Sequence, residues 1–232
     1  MSGVLVWDFD GTLATRPGGW TGTLHEVVTR AHPALGVMPE HIRPYLRRGF
    51  PWHTPDVVRD PCSEDAWWDG LLPLFTAALR GGAGLEEADA RRLAAAVRAR
   101  YLDPDAWRLF DDTLPVLERL RARGWRHVVL SNHVPELSRI VERLGLSPLL
   151  SGLYCSALTG AEKPHPQAFE CVFTDHPEAR GSWMIGDSWS ADVKGARAVG
   201  MRAILVREAH PEADLRCESL HEAAAIVDGR GA

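Results

Sequence analysis

The apolar residues of this chain change rhythm twice. Val4-Leu5-Val6-Trp7 is a short, unbroken, β-rich run, the pattern of a strand buried on both faces. From about residue 21 to residue 101 the spacing is helical: Leu24, Val27 and Val28, then Leu71, Leu74 and Phe75, then Leu93, Ala96, Val97 and Tyr101. The run Gly81-Gly82-Ala83-Gly84 predicts the break between two of these helices. Beyond Asp103-Pro104-Asp105 the two rhythms alternate. They predict helix 113–123, strand 125–130, helix 135–145, a strand near 150–155, helix 165–174, strand 182–186, helix 190–199 and strand 202–206. Leu215 to Cys217 predicts a last short strand before a helix from Leu220 to Val227.

Strands alternating with helices imply parallel βαβ units joined by right-handed crossovers. The expected class is therefore α/β: a Rossmann-like three-layer core built from residues 1–16 and 106–232. An all-helical domain, residues 17–105, is inserted between the two pieces, with hinges at Arg16-Pro17-Gly18-Gly19 and at 103–105.

Composition narrows the class further. A chain of 232 residues with 45% hydrophobic content can bury a sizeable core. A net charge of −5 lacks the basic footprint of a nucleic-acid binder. No run reaches the 18 or more apolar residues of a membrane span, and Met1-Ser2-Gly3 has no basic flank, so a cytoplasmic protein is expected. Cys62, Cys155, Cys171 and Cys217 are too scattered for a metal finger and read as free thiols. The histidines form no ligand pair, and His165 is given no role.

The chemistry concentrates at strand ends. Asp8-Phe9-Asp10-Gly11-Thr12-Leu13 follows the first strand, where open α/β sheets bind ligands. Side chains two apart on a strand share a face. Two neighbouring carboxylates are costly unless a cation or a shared proton relieves them, which predicts a divalent metal or a raised pKa. Mg²⁺ is the natural ion, since it takes oxygen ligands and bridges carboxylates to phosphate. Gly11 permits a turn with unusual φ, and Thr12 offers a hydroxyl and an amide to an anion. Ser131-Asn132 ends the strand at 125–130, Lys163-Pro164 lies in a polar loop, and Gly186-Asp187-Ser188 ends another strand, with Asp192 five residues past Asp187. Taken singly, each has a plainer explanation: a solvated Asp-Gly turn, a helix cap, a surface lysine, cap residues again. Their order along separate strand ends is hard to produce by turn chemistry.

Together these four segments resemble the motifs of the haloacid dehalogenase superfamily of phosphohydrolases, and the inserted helices are similar to its C1-type cap. The resemblance implies Asp8 as nucleophile, forming an aspartyl-phosphate, and Asp10 as general acid/base. It implies Mg²⁺ held by the Asp8 carboxylate, the Asp10 main-chain carbonyl and Asp187, with Asp192 in or near the second ligand layer. Ser131, Asn132, Lys163 and Thr12 would bind phosphate. Dehalogenases of this fold lack an acid two residues after the nucleophile. Phosphonate-cleaving relatives need a cap lysine, and 14–105 contains none. The implied activity is a Mg²⁺-dependent phosphatase acting on a small phosphorylated metabolite. A sugar phosphomutase and a non-catalytic phosphate-binding regulator stay open as alternatives. Substrate contacts are expected from Arg47, Arg48, Trp52 and His53 in the insert and from Arg16 and Trp20 beside the first motif. Adjacent arginines at a helix end equally complement its dipole.

Overall fold

The computed structural model describes residues 3–229; Met1, Ser2 and residues 230–232, which the sequence reading assigns to the core, lie outside the described residues. In chain order the elements are β1 (Val4–Trp7), β2 (Ala14–Thr15), α1 (Gly19–Ala31), α2 (Pro39–Ile42), α3 (Glu64–Ala83), α4 (Glu87–Tyr101), β3 (Arg108–Leu109), α5 (Thr113–Ala122), β4 (Arg126–Ser131), α6 (Leu137–Arg143), β5 (Leu150–Cys155), α7 (Ser156–Thr159), α8 (Pro166–Asp175), β6 (Trp183–Gly186), α9 (Gly195–Ala198), β7 (Arg202–Val206), β8 (Arg216–Cys217) and α10 (Leu220–Val227). A π-helical turn, Trp189–Lys194, precedes α9.

One unit holds the chain up to Thr15, Pro55–Pro61 and everything from Arg108; the other holds Arg16–Thr54 and Cys62–Trp107. The insert predicted as one piece, 17–105, is thus interrupted. Residues 55–61 belong to the sheet unit because the Arg59 N–H donates to the Gly160 carbonyl at 2.8 Å. Gly160 leaves room for that strand of chain, since a Cβ there would overlap the Arg59 carbonyl.

The sheet unit is a Rossmann-like α/β fold. Its six strands are all parallel, in the order β5-β4-β1-β6-β7-β8. β1 is central, with Trp7 level with Val129 of β4 and Ile185 of β6. The chain leaves β1 between two neighbours reached in opposite directions, the crevice where such sheets bind ligands. Valines and leucines alternate across the sheet: Val4, Val6, Val128, Leu130, Met184 and Leu205 pack under Phe169, Val172 and Phe173 of α8 and Ala196 of α9. Burying each large side chain contributes about 1.5–3 kcal/mol. A two-stranded antiparallel ribbon, β2 with β3, was not legible as strand, being two residues long on each side.

In the helical unit, the break between α3 and α4 falls at the glycine run as the sequence predicts, but only at its end. α3 continues to Ala83, and only Gly84 (φ 67°) caps it. Gly81 and Gly82 lie inside the helix because a Cβ at Gly81 would enter the Tyr45 ring and one at Gly82 would press on the His41 carbonyl. Close packing outweighs the helix penalty of about 1 kcal/mol per glycine.

On the other face of the sheet, His127 is fully buried. Its Nδ1 accepts the Trp7 indole N–H at 3.1 Å, and its Nε2 lies 2.9 Å from the Leu117 carbonyl of α5. Nε2 must therefore carry the proton and the ring is neutral. Burial lowers its pKa to about 4, against the Leu117 carbonyl, which favours the charged form. An unfolded histidine titrates near pH 6.5, so between the two values the unfolded chain binds the extra proton and stability falls as pH drops. Wild type should lose up to ~1.4 kcal/mol per pH unit more than His127→Gln across that window, read from urea midpoints. Parallel curves for the two proteins would mean the ring is not held neutral.

Candidate active site

The site is assembled from two strand ends and one segment between helices of the sheet unit. Asp8 follows β1, and its N–H extends the ladder by donating to the Ile185 carbonyl at 2.9 Å. Asp187 follows β6. Lys163 comes from the segment between α7 and α8, and its side chain is fully buried. Its Nζ lies 2.7 Å from Asp8 Oδ1 and 2.6 Å from Asp192 Oδ1. Burial alone would favour a neutral amine, yet the two carboxylates hold the lysine above its ordinary pKa. The ammonium is a fixed charge.

Asp8, Asp187 and Asp192 bring one carboxylate oxygen each within 4.8 Å of one another. Fully ionised, three carboxylates against one ammonium would leave two negative charges in excess. Burial, then repulsion from Asp8 and Asp192, pushes the Asp187 carboxyl well above the usual range, so the cluster resists full ionisation without a further cation. Such an oxygen-only cluster fits a hard divalent ion.

Local backbone chemistry makes the room. The Gly11 N–H donates to the Ala14 carbonyl at 2.8 Å, and the amides of Leu13 and Ala14 return to the Phe9 carbonyl. Gly11 has φ 86°, and a Cβ there would collide with the Asp187 carboxylate. Gly186 does the same for Asp192. The predicted α-helix over 190–199 instead begins as the π turn, with the Val193 N–H donating to the Ser188 carbonyl five residues back at 3.2 Å. This wider turn buries Asp192, whose Oδ2 accepts the Ser188 N–H at 2.9 Å. Single π turns recur at functional sites for this reason.

The predicted phosphate ligands divide. Ser131, the buried last residue of β4, sits two residues beyond the pair Trp7–Val129, at the same sheet edge as Asp8. Asp10, two residues after Asp8, is half-buried and bridged by its backbone to Ala14. Thr12 needs correction: its hydroxyl donates to Asp187 Oδ1 at 3.3 Å and its amide to the Phe9 carbonyl, so neither is turned to an anion. Asn132 needs the same correction, because Nδ2 donates to the Lys163 carbonyl at 2.8 Å and Oδ1 accepts the Lys163 N–H at 2.7 Å. The Ser156–Glu162 segment carries parts of the site that the sequence did not single out.

The candidate substrate contacts all lie in the helical unit. Arg16 is buried and bound to Glu26 at 2.9 Å, to the Arg100 carbonyl at 3.2 Å and beside the Tyr101 ring. It is a structural residue, which corrects its assignment. Trp20 stacks on Tyr101, ring centroids 3.9 Å apart, and on Phe75. Arg47, Trp52 and His53 line, with Trp20, Phe50 and Arg43, an open pocket of about 270 Å³. Exposed Arg48 is not among its lining residues.

A family model for haloacid dehalogenase-like hydrolases matches residues 3–200. With the four segments in the order given above and a parallel sheet to carry them, the chain belongs to the haloacid dehalogenase-like hydrolase family. Haloacid dehalogenase-like hydrolase domain-containing protein 3 of Homo sapiens is 30% identical over 212 residues, 88% of this chain and 81% of that protein. Phosphoserine phosphatase of Thermus thermophilus is 35% identical over 161 residues, 64% of this chain and 61% of that enzyme. Among solved structures, HAD-hydrolase YfnB from Bacillus subtilis, bound to magnesium, matches with a TM-score of 0.77 at 19% identity, covering 98% of this chain and 99% of that one; this likeness is one of fold.

Gly11→Ala should displace the Asp187 carboxylate without removing any ligand. Divalent-cation affinity, measured by calorimetry, should fall about tenfold to a hundredfold, as when the support of a ligand is lost. Unchanged affinity would mean that Asp187 is not held by the space at Gly11.

Proposed function

We propose that the protein is a Mg²⁺-dependent phosphatase that hydrolyses a small phosphorylated metabolite through an aspartyl-phosphate on Asp8. The observation that carries this reading is the fully buried Lys163 ammonium, 2.7 Å from Asp8 in a cluster that also contains Asp187 and Asp192. A carboxylate paired with a fixed cation, at the C-terminal end of a parallel strand, suits attack on an electrophile. The relationship to a phosphoserine phosphatase supports phosphorus as that electrophile.

The residues then divide the work. Asp8 attacks the phosphorus in line with the departing oxygen. Asp10, two residues on, gives a proton to that oxygen and later takes one from the attacking water. A leaving halide needs no such proton, so Asp10 favours a phosphate ester over a haloacid. Lys163 offsets the charge that gathers on the phosphoryl oxygens while pairing with Asp8 at 2.7 Å, and the Ser131 hydroxyl donates to one of those oxygens. Asp8, Asp187 and Asp192, with the Asp10 carbonyl, would hold Mg²⁺, which supplies two further positive charges against the phosphate. Asp192 shares its carboxylate between this cluster and Lys163. Selection of the leaving group falls to Arg47, Trp52 and His53 of the helical unit.

Phosphate release from an aryl phosphate should require Mg²⁺ and stop with a chelator; full activity in excess chelator would reject the metal's part. Asp8→Asn should abolish release while leaving the circular dichroism spectrum unchanged. Asp10→Asn should slow single turnover of an alkyl phosphate about 10²- to 10⁴-fold, and that of an aryl phosphate with a good leaving group much less. Equal losses on both would assign Asp10 to structure instead of proton transfer.

A further inference from the structure

The loops around Ser131 and Lys163 are fastened together by hydrogen bonds that leave the reacting groups untouched. The planar amide of Asn132 turns one donor and one acceptor to the same residue: Nδ2 donates to the Lys163 carbonyl at 2.8 Å, and Oδ1 accepts the Lys163 N–H at 2.7 Å. The side chain thus pairs with the Lys163 main chain as a neighbouring strand would. A second tie runs alongside. The His133 N–H donates to Ser156 Oγ at 3.2 Å, and the Ser156 side chain in turn hydrogen-bonds the carboxylate of Glu162, the buried residue preceding Lys163. Lys163 is gripped at its own peptide and at the residue before it.

This matters because a lysine side chain is a flexible stem carrying a point charge. Its ammonium must meet two carboxylates at 2.7 and 2.6 Å, and nothing along the stem can hydrogen-bond to aim it. The position of the main chain decides where Nζ falls. Neither serine, with one hydroxyl, nor aspartate, without a donor, can hold both the N–H and the C=O of one residue in this way.

We infer that Asn132 is a positioning residue, acting on the reaction through the placement of Lys163 and not through contact with the phosphoryl group. The inference rests on the phosphatase reading above. It also separates Asn132 from Ser131, its neighbour in the same motif, which keeps a direct role.

The test is a double-mutant cycle on the full chain with an activated aryl phosphate and Mg²⁺. Asn132→Ala should lower kcat/KM about tenfold to a hundredfold, the loss that follows when a reacting-site group is displaced by around 1 Å. In the Lys163→Met background the same change should cost no more than about twofold, since the charge it positions is gone. Loss factors that multiply would mean that Asn132 touches the phosphoryl group, and the inference would fall. Turnover of Lys163→Met can drop below detection, so a second measurement leaves Lys163 in place: calorimetric affinity for inorganic phosphate in Asn132→Ala and Asn132→Asp. If Asn132 only brackets Lys163, the aspartate variant, which keeps the acceptor for the Lys163 N–H, binds phosphate at least as well as the alanine variant. If Asn132 faces the anion, like-charge repulsion makes the aspartate variant about tenfold weaker or worse, which contradicts the inference. A wild-type protein that releases no phosphate would instead reject the phosphatase reading itself.

Discussion

A single ammonium placed between two buried carboxylates is the constraint on which the rest of this molecule's chemistry depends. Asp8 and Asp192 lie within hydrogen-bond distance of one Nζ, and Asp187 stands close enough to be repelled by both. Without a cation, burial would force protons onto this cluster. Breaking a buried pair by removing one partner typically costs 3–5 kcal/mol, yet the pair itself adds little net stability, because desolvation offsets most of the attraction. Such an arrangement is explained by where it puts Asp8: a carboxylate largely out of water, beside a fixed positive group and within a cluster that could hold a second one.

The sheet supplies the precision. Three segments far apart in sequence arrive at one edge because β1 lies between β4 and β6 and all three run parallel. Gly11 and Gly186 then remove the side chains that would occupy the space of Asp187 and Asp192. The π turn after Ser188 rotates Asp192 inward, where an ordinary helical turn would start its rise earlier.

Much of this was legible in the order of residues. An apolar tetrapeptide ending in Asp8 announces a buried strand delivering an acid, and the alternation after residue 105 announces the parallel sheet. What stayed hidden was where hydrogen bonds go once the chain is folded. Thr12 and Asn132 have the chemistry of anion ligands, and a one-dimensional pattern cannot show that Asp187 and the Lys163 peptide consume it first. Arg16 looked like a substrate contact for the same reason, until Glu26 and a neighbouring carbonyl engaged it. Gly81 and Gly82 read as a linker because glycine's local preference is for breaks, while the approach of Tyr45 and His41 to α3 is a tertiary fact. The return of 55–61 to the sheet unit rests on one main-chain contact with Gly160, which leaves no periodic trace.

The central claim is that Asp8, paired with Lys163, takes the phosphoryl group. Rapid mixing of the protein with an aryl phosphate and Mg²⁺, quenched with borohydride, tests it directly, because borohydride reduces an acyl phosphate to the alcohol. The account predicts that the peptide carrying Asp8 is converted to its homoserine form during turnover, and that Asp8→Asn shows no conversion. Phosphate released at full rate with Asp8 unmodified at every quench time would contradict it.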